Sequence, residues 1–171
     1  EDEKIEGALM IGQCGMEGAL AAADILVGDV NPSGRLVDTY AKDLTDYPFT
    51  ESFHESNTYV KYYEDIYVGY RYFETLDKAK SRVNYPFGFG LTYTTFALGQ
   101  VTLSADTLRP GETVQARVTL RNTGERPGEE TVQLYIHDRF ASCVRPVKKL
   151  KAFRRVALAP GEEAEVVFDV T

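Results

Sequence analysis

An α+β fold is predicted: a short α/β piece followed by an antiparallel β-sandwich of immunoglobulin or fibronectin III type. Three observations predict it. Residues from Val101 onward alternate apolar and polar with period two, Pro-Gly-Glu turns separate those runs, and the first forty residues run strand, helix, turn, strand. The 171 residues suffice for one good-sized domain or two small ones. With 43% hydrophobic and 26% charged residues the composition is that of an ordinary folded protein. Lys plus Arg is 19 against 26 Asp plus Glu, a net charge of −7, and this balance argues against partners such as nucleic acid or an anionic membrane. No run of 18 apolar residues is present to span a bilayer.

The first element expected is a buried strand at "ALMIG", residues 8–12, an apolar run stopped by glycine. "QCGMEGALAAADILVG" follows. Met16, Leu20, Ala23 and Leu26/Val27 recur at helical spacing, alanine supplies propensity, and Gly28 is a suitable stop. "DVNPSGRL" gathers Asn, Pro, Ser and Gly into a turn, and "LVDTY" reads as another short strand. This unit is too short to be a whole α/β domain and reads as the last part of a larger one.

Residues 42–58 are polar without a clear period and are expected to form a long surface loop. Then comes "YVKYYEDIYVGYRYF", residues 59–73, in which seven of fifteen residues are Tyr or Phe. Its Tyr, Ile and Val content favours extended backbone. "LDKAKSRVN" is a charged turn. "YPFGFGLTYTTF", residues 85–96, alternates Gly88 and Gly90 with aromatics and is expected to bend sharply under ring cover, as an ordered linker.

In the second half, "TVQARVTL" puts Val114, Ala116, Val118 and Leu120 on one face. "TVQLYI" does the same with Val132, Leu134 and Ile136, and "EVVFDV" aligns Val166, Phe168 and Val170 less cleanly, because Val167 is also apolar. The frame Leu-x-Pro-Gly-Glu occurs at Leu108 and again at Leu158, a turn rule used twice. Five or six strands are expected before Thr171, against about seven in a full sandwich. The block Arg145–Arg155 holds six cationic side chains among apolar ones and is expected to be a guarded strand edge or an exposed face.

Paired acids beside aromatic rings suggest sugar chemistry, since glycosidases use two carboxyl groups flanking the scissile bond. Glu64 and Asp65 are adjacent, however, and neighbours on an extended strand face opposite ways. Glu64 would share a packed face with Ile66, Val68, Tyr70 and Tyr72, and would need a cation or backbone N–H there. The pair is therefore read as scaffold. His54 and His137 have no third ligand at metal spacing, so no metal site is expected. Cys14 and Cys143 lie in segments of different character and are read as free thiols, which leans towards a reducing, cytoplasmic compartment. No Gly-x-Ser-x-Gly elbow is present, and the glycines of "GFGLTYTTF" lack the strand–loop–helix setting of a phosphate loop.

Taken in order, "GQCGMEGALAAADILVGDVNPSGRL", "YYEDIYVGYRYFE" and "YPFGFGLTYTTF" resemble the motifs of glycoside hydrolase family 3, the β-glucosidase and β-xylosidase family. The resemblance spans essentially the whole chain. It implies a fragment with three parts: residues 1–58 as the end of an α/β sandwich domain with its surface loop, 59–96 as an aromatic interdomain linker, and 97–171 as a fibronectin-III-like β-sandwich lacking an edge strand or two. It implies retaining hydrolysis of terminal β-linked glucose or xylose by the parent enzyme, without a cofactor. The nucleophile would be an aspartate on an absent barrel domain, and the acid/base a residue of an earlier α/β segment. No catalytic, cofactor-binding or metal residue is assigned here. Gly12, Glu17, Asn31, Pro32, Gly34, Glu64, Gly69, Arg71, Gly88 and Gly90 match motif positions and are read as structural.

Two departures stand out. Cys14 lies where Pro-Gly-Gln-Glu-like sequences are commoner, and "LVDTYAKDLTDYP" replaces Leu-Pro-x-Thr-Phe-Pro, which is similar to bacterial members whose barrel follows the fibronectin-like domain. The implied partners are a β-linked oligosaccharide or glycoside and the missing domains. The alternatives are a non-catalytic carbohydrate-binding or adhesion module, and a purely structural interdomain piece.

Overall fold

The structure, a computed structural model, describes residues 4–52, 54–77 and 81–171. Helix α1 spans Gly18–Val27 and ends at Gly28, as the sequence pattern predicts. Strand β1 (Tyr40–Ala41) pairs antiparallel with β2 (Val83–Tyr85), so the expected strand at "LVDTY" is present only in its last residue and the one after it. The expected strand at residues 8–12 is not formed. Leu9, Met10 and Ile11 are 38%, 63% and 50% exposed, and no described strand pairs with them. An apolar run becomes a buried strand only where a neighbour takes its backbone hydrogen bonds.

Residues 42–58 contain two 3₁₀ turns, Leu44–Asp46 and Thr50–Ser52. Asp43 opens the first through a reciprocal cap: its carboxylate accepts from Thr45 N (2.9 Å) and Thr45 Oγ1 (2.6 Å), while Asp46 accepts from Asp43 N (3.1 Å).

The aromatic stretch is not an extended strand. It turns at residues 63–66, where Asp65 has φ 49°, and then enters helix α2, Tyr70–Leu76. Gly69 precedes that helix at φ 58°, a conformation that side-chain-bearing residues resist. Tertiary packing overrides the β propensity of the rings: Phe73, 2% exposed, meets Tyr47 edge-on at 6.0 Å and Tyr72 at 5.3 Å. The opposite-faces argument for Glu64 and Asp65 therefore fails, because the backbone between them is a turn. Glu64 is half-buried, and among the described residues its side chain takes neither the cation nor the N–H expected for it. Residues 78–80 of the charged turn lie outside the described residues.

The second half is an antiparallel sandwich. β5 (Val114–Asn122) is central: it pairs on one side with β3 (Phe96–Leu98) and β4 (Thr102–Leu103), and on the other with β8 (Glu163–Val170). The second layer is β6 (Gly128–Ile136) with β7 (Lys149–Leu158). Val118, Leu120, Val132, Leu158, Val166 and Phe168 form the core between the layers. Of the inward set read from the alternation, Val114, Ala116, Val118, Leu120, Val132, Val166 and Phe168 are buried, whereas Leu134, Ile136 and Val170 are half-buried. Among the described residues β7 pairs only with β6, and Lys149, Lys151, Arg154 and Arg155 on it are exposed, so the basic block is a guarded edge.

The repeated Leu-x-Pro-Gly-Glu frame has one physical cause. Gly111 (φ 85°) and Gly161 (φ 76°) occupy the third place of Pro-Gly turns that need a left-handed residue. Glu112 N and Glu162 N close them on Arg109 O (3.0 Å) and Ala159 O (3.1 Å). Each glutamate carboxylate also accepts from the first residue's N–H, at 3.0 Å from Arg109 and 2.7 Å from Ala159.

Candidate functional site

A concavity lies in the long loop, with a volume of about 680 Å³. Tyr47 anchors it: its hydroxyl accepts from Ala41 N (3.0 Å) and donates to Thr39 O (3.2 Å). Thr50 Oγ1 lies 2.9 Å from both Leu44 O and Tyr47 O, and Ser52 Oγ donates to Phe49 O (2.8 Å). These bonds hold Phe49 at φ 61°, an unusual conformation for a bulky residue. The Phe49 ring stacks on Tyr63, centroids 5.4 Å apart and planes at 28°, and the two residues remain 49% and 43% exposed.

Two carboxylates line the same hollow, Glu51 and Glu55. Glu55 receives Lys61 Nζ at 2.9 Å and the Tyr63 hydroxyl at 3.3 Å. The Lys61 ammonium is the main cause that holds the Glu55 carboxyl below the ordinary glutamate range, and in turn Glu55 raises the lysine's pKa. Lys61 Nζ also lies 5.1 Å from the Tyr59 ring centre and 5.6 Å from that of Tyr63. Among the described residues Glu51 has no hydrogen-bond or ion-pair partner. The residues that matter here are thus Phe49, Glu51, Glu55 and Tyr63. The sequence signal for them was the mixture of rings and acids in residues 47–63, which an extended reading of 59–73 dispersed.

A second cluster fastens this half to the sandwich. Asn31 Nδ2 donates to Pro127 O (2.9 Å), and Asn31 Oδ1 accepts from Thr92 Oγ1 (2.6 Å) and Tyr93 N (2.7 Å). Arg35 grips Glu130 with two prongs, and Ser33, Glu129 and Arg155 form a small polar network beside it. Tyr93 OH donates to Ile25 O (2.7 Å), and Tyr70 OH accepts from Leu150 N (2.9 Å) while its ring packs against Phe87 (4.8 Å) and Tyr135 (5.9 Å). Gly90 passes so close to Gly34 O and Arg35 that a methyl group there would collide with both. Asn31, Gly34 and Gly90 of the motif set, with Arg35 beside them, converge on this clamp. Gly69 caps α2, and Arg71 lies along the Tyr70 ring at 5.9 Å.

Cys14 and Cys143 are both free and exposed, and His54 and His137 lie on the surface far apart in sequence. Among the described residues no three His, Cys, Asp or Glu side chains are grouped to hold a metal ion, and no helix is long and apolar enough to cross a membrane.

Residues 1–93 match the glycosyl hydrolase family 3 C-terminal domain, more than half of the chain. The chain belongs to glycosyl hydrolase family 3. Residues 130–171 of this family 3 chain match the fibronectin type III-like domain. Beta-glucosidase A of Butyrivibrio fibrisolvens is 48% identical over 178 aligned residues, covering 97% of this chain and 21% of the relative. A probable beta-glucosidase I of Aspergillus niger is 43% identical over 84% of this chain and 18% of its own length, so bacterial and fungal proteins both carry the arrangement. The structure of beta-glucosidase 3B from Thermotoga neapolitana in complex with glucose superposes with a TM-score of 0.80 at 38% identity, over 92% of this chain and 22% of that one. The family 3 chain therefore spans about a fifth of the length of the relatives it matches.

Proposed function

We propose that this chain is the scaffold part of a retaining β-glycosidase that hydrolyses terminal β-linked glucose or xylose. One observation carries the reading: 48% identity to a bacterial beta-glucosidase over 97% of this chain but only 21% of that relative. The catalytic pair of carboxyl groups, about 5–5.5 Å apart in retaining enzymes, would then stand on other segments of the whole protein. In this reading residues 1–58 close an α/β sandwich domain, 59–96 join it to the next, and 97–171 form the fibronectin-like module.

Exposed apolar surface supports the assignment. Leu20, Leu26 and Val27 on α1 are 62%, 72% and 71% exposed, and Met10 and Ile11 are also exposed. A surface of this kind is normal for an element packed inside a larger layer and unusual on a free one. The clamp around Asn31 and Arg35 then fixes the angle between that layer and the sandwich.

A chimaera tests the proposal. The matching segment of the Butyrivibrio enzyme is replaced by residues 1–171, and hydrolysis of a nitrophenyl β-glucoside is measured. Turnover by the chimaera together with none by the 171-residue chain alone is expected. Turnover by the chain alone would overturn the scaffold reading.

A further inference from the structure

We propose that the concavity of the long loop is a non-catalytic binding site for a β-linked glucosyl unit. The Phe49 and Tyr63 rings would be its platform, and Glu51 and Glu55 the acceptors for sugar hydroxyls. The choice of sugar rests on the proposed β-glycosidase role; the platform itself does not. The hollow of about 680 Å³ falls within the size of small-molecule sites, roughly 300–1,000 Å³. A β-glucosyl ring presents flat C–H faces and a rim of equatorial hydroxyls. The electron-rich face of an aromatic ring attracts such C–H groups, and carboxylates accept from hydroxyls.

The site is shaped for an external ligand in three respects. Phe49 is held at φ 61° by hydrogen bonds of Thr50 and Ser52, and the result is a stacked ring pair half open to solvent. Strain kept in a loop while its ring stays exposed is characteristic of binding sites. Glu55 is held by Lys61 Nζ and the Tyr63 hydroxyl, and the second bond also fixes the Tyr63 ring. Glu51 has no partner among the described residues, so its carboxylate is available as an acceptor. Among the described lining residues two are carboxylates, of which Glu55 is paired with Lys61; this balance disfavours an anionic ligand, and a neutral polyol with many donors fits it.

The test is an NMR titration of the full 171-residue chain with cellotetraose, with maltotetraose as the α-linked control. Saturable shifts confined to residues 47–63 are expected with cellotetraose. Phe49→Gly, which removes the ring and takes the positive φ without strain, and Tyr63→Ala should each weaken binding by about tenfold or more. Tyr63→Phe, which keeps the ring, should stay within about threefold.

Circular dichroism identifies any variant that fails to fold, and Phe49→Gly with Tyr63→Phe still decides the matter. No saturable shift, equal response to both sugars, or indifference to both ring deletions overturns the proposal. So does protection of Tyr63 from nitration in the sugar-free chimaera, since another part of the protein would then cover the face. Chimaera turnover is read separately. If it survives while sugar binding is absent, the site fails and the β-glycosidase role stands; the reverse result removes that role and leaves the platform.

Discussion

Arg35 and Glu130, 95 residues apart, meet in a two-pronged ion pair: Nε donates to Oε1 at 3.1 Å and Nη2 to Oε2 at 2.5 Å. Their side chains are 12% and 20% exposed, so water screens the pair only weakly. Removing one partner leaves the other charge poorly solvated. Arg35→Ala or Glu130→Ala should each cost about 2–3 kcal/mol by urea denaturation, and Arg35→Lys should recover less than half. A double-mutant cycle in which the two losses simply add would show that the pair contributes nothing jointly.

Asn122 is fully buried with all its capacity used. Its Oδ1 accepts from Thr94 Oγ1 (2.8 Å) and Gly124 N (3.1 Å), and its Nδ2 donates to Arg126 O (2.8 Å) and Leu158 O (3.1 Å). Asn122→Ala strands those partners in the interior and should cost about 2–4 kcal/mol, read as a fall in thermal midpoint.

Leu120 is 0% exposed in the centre of the sandwich core. Leu120→Ala should cost about 2–5 kcal/mol, since β5 is paired on both sides and cannot collapse into the gap. Leu98→Ala, on an edge strand at 60% exposure, should stay within about 0.5 kcal/mol in the same assay.

Asp77 sets an acid limit. Its carboxyl is held below the ordinary aspartate value of 3.8, first by the backbone N–H of Arg82 (3.0 Å), with the Ser81 hydroxyl (3.3 Å) and the Arg82 charge adding to it. A lowered folded-state value stabilises the fold above the unfolded pKa, and that contribution disappears as pH falls through the folded value. The wild type should therefore lose stability on acidification below about pH 4 more steeply than Asp77→Asn. Parallel stability–pH curves from the two proteins would exclude this role for Asp77.

The open side of α1 should govern behaviour in solution. Leu20→Glu with Leu26→Glu should reduce concentration-dependent association of the isolated chain in sedimentation, and should abolish turnover when carried into the chimaera. An unchanged chimaera would mean that nothing packs on this side.

The β-sandwich was legible because alternation and turns act locally. Val114, Ala116, Val118 and Leu120 point inward in strict period, and Pro-Gly-Glu specifies its turn with four residues. Helix α1 was legible from period and from Gly28. The stretch 59–73 was not, because Tyr, Ile and Val favour strands locally, whereas packing of Phe73 against Tyr47 and the reversal at Gly69 favour a helix. Ala8–Gly12 misled for a different reason: apolarity marks a segment that wants cover, and the cover is not among the described residues. The Phe49–Tyr63 stack could not be foreseen either, since it depends on a positive φ at a phenylalanine, which no pattern announces.

Asn31 ties three segments together through one side-chain amide, and the residue after it is Pro32. Asparagine ages chiefly when the next backbone N–H attacks its side chain and closes a succinimide ring. Proline has no N–H to make that attack. The joint between the two halves is thus closed to succinimide-mediated deamidation, the route that needs the next residue's N–H, at the very amide on which it depends.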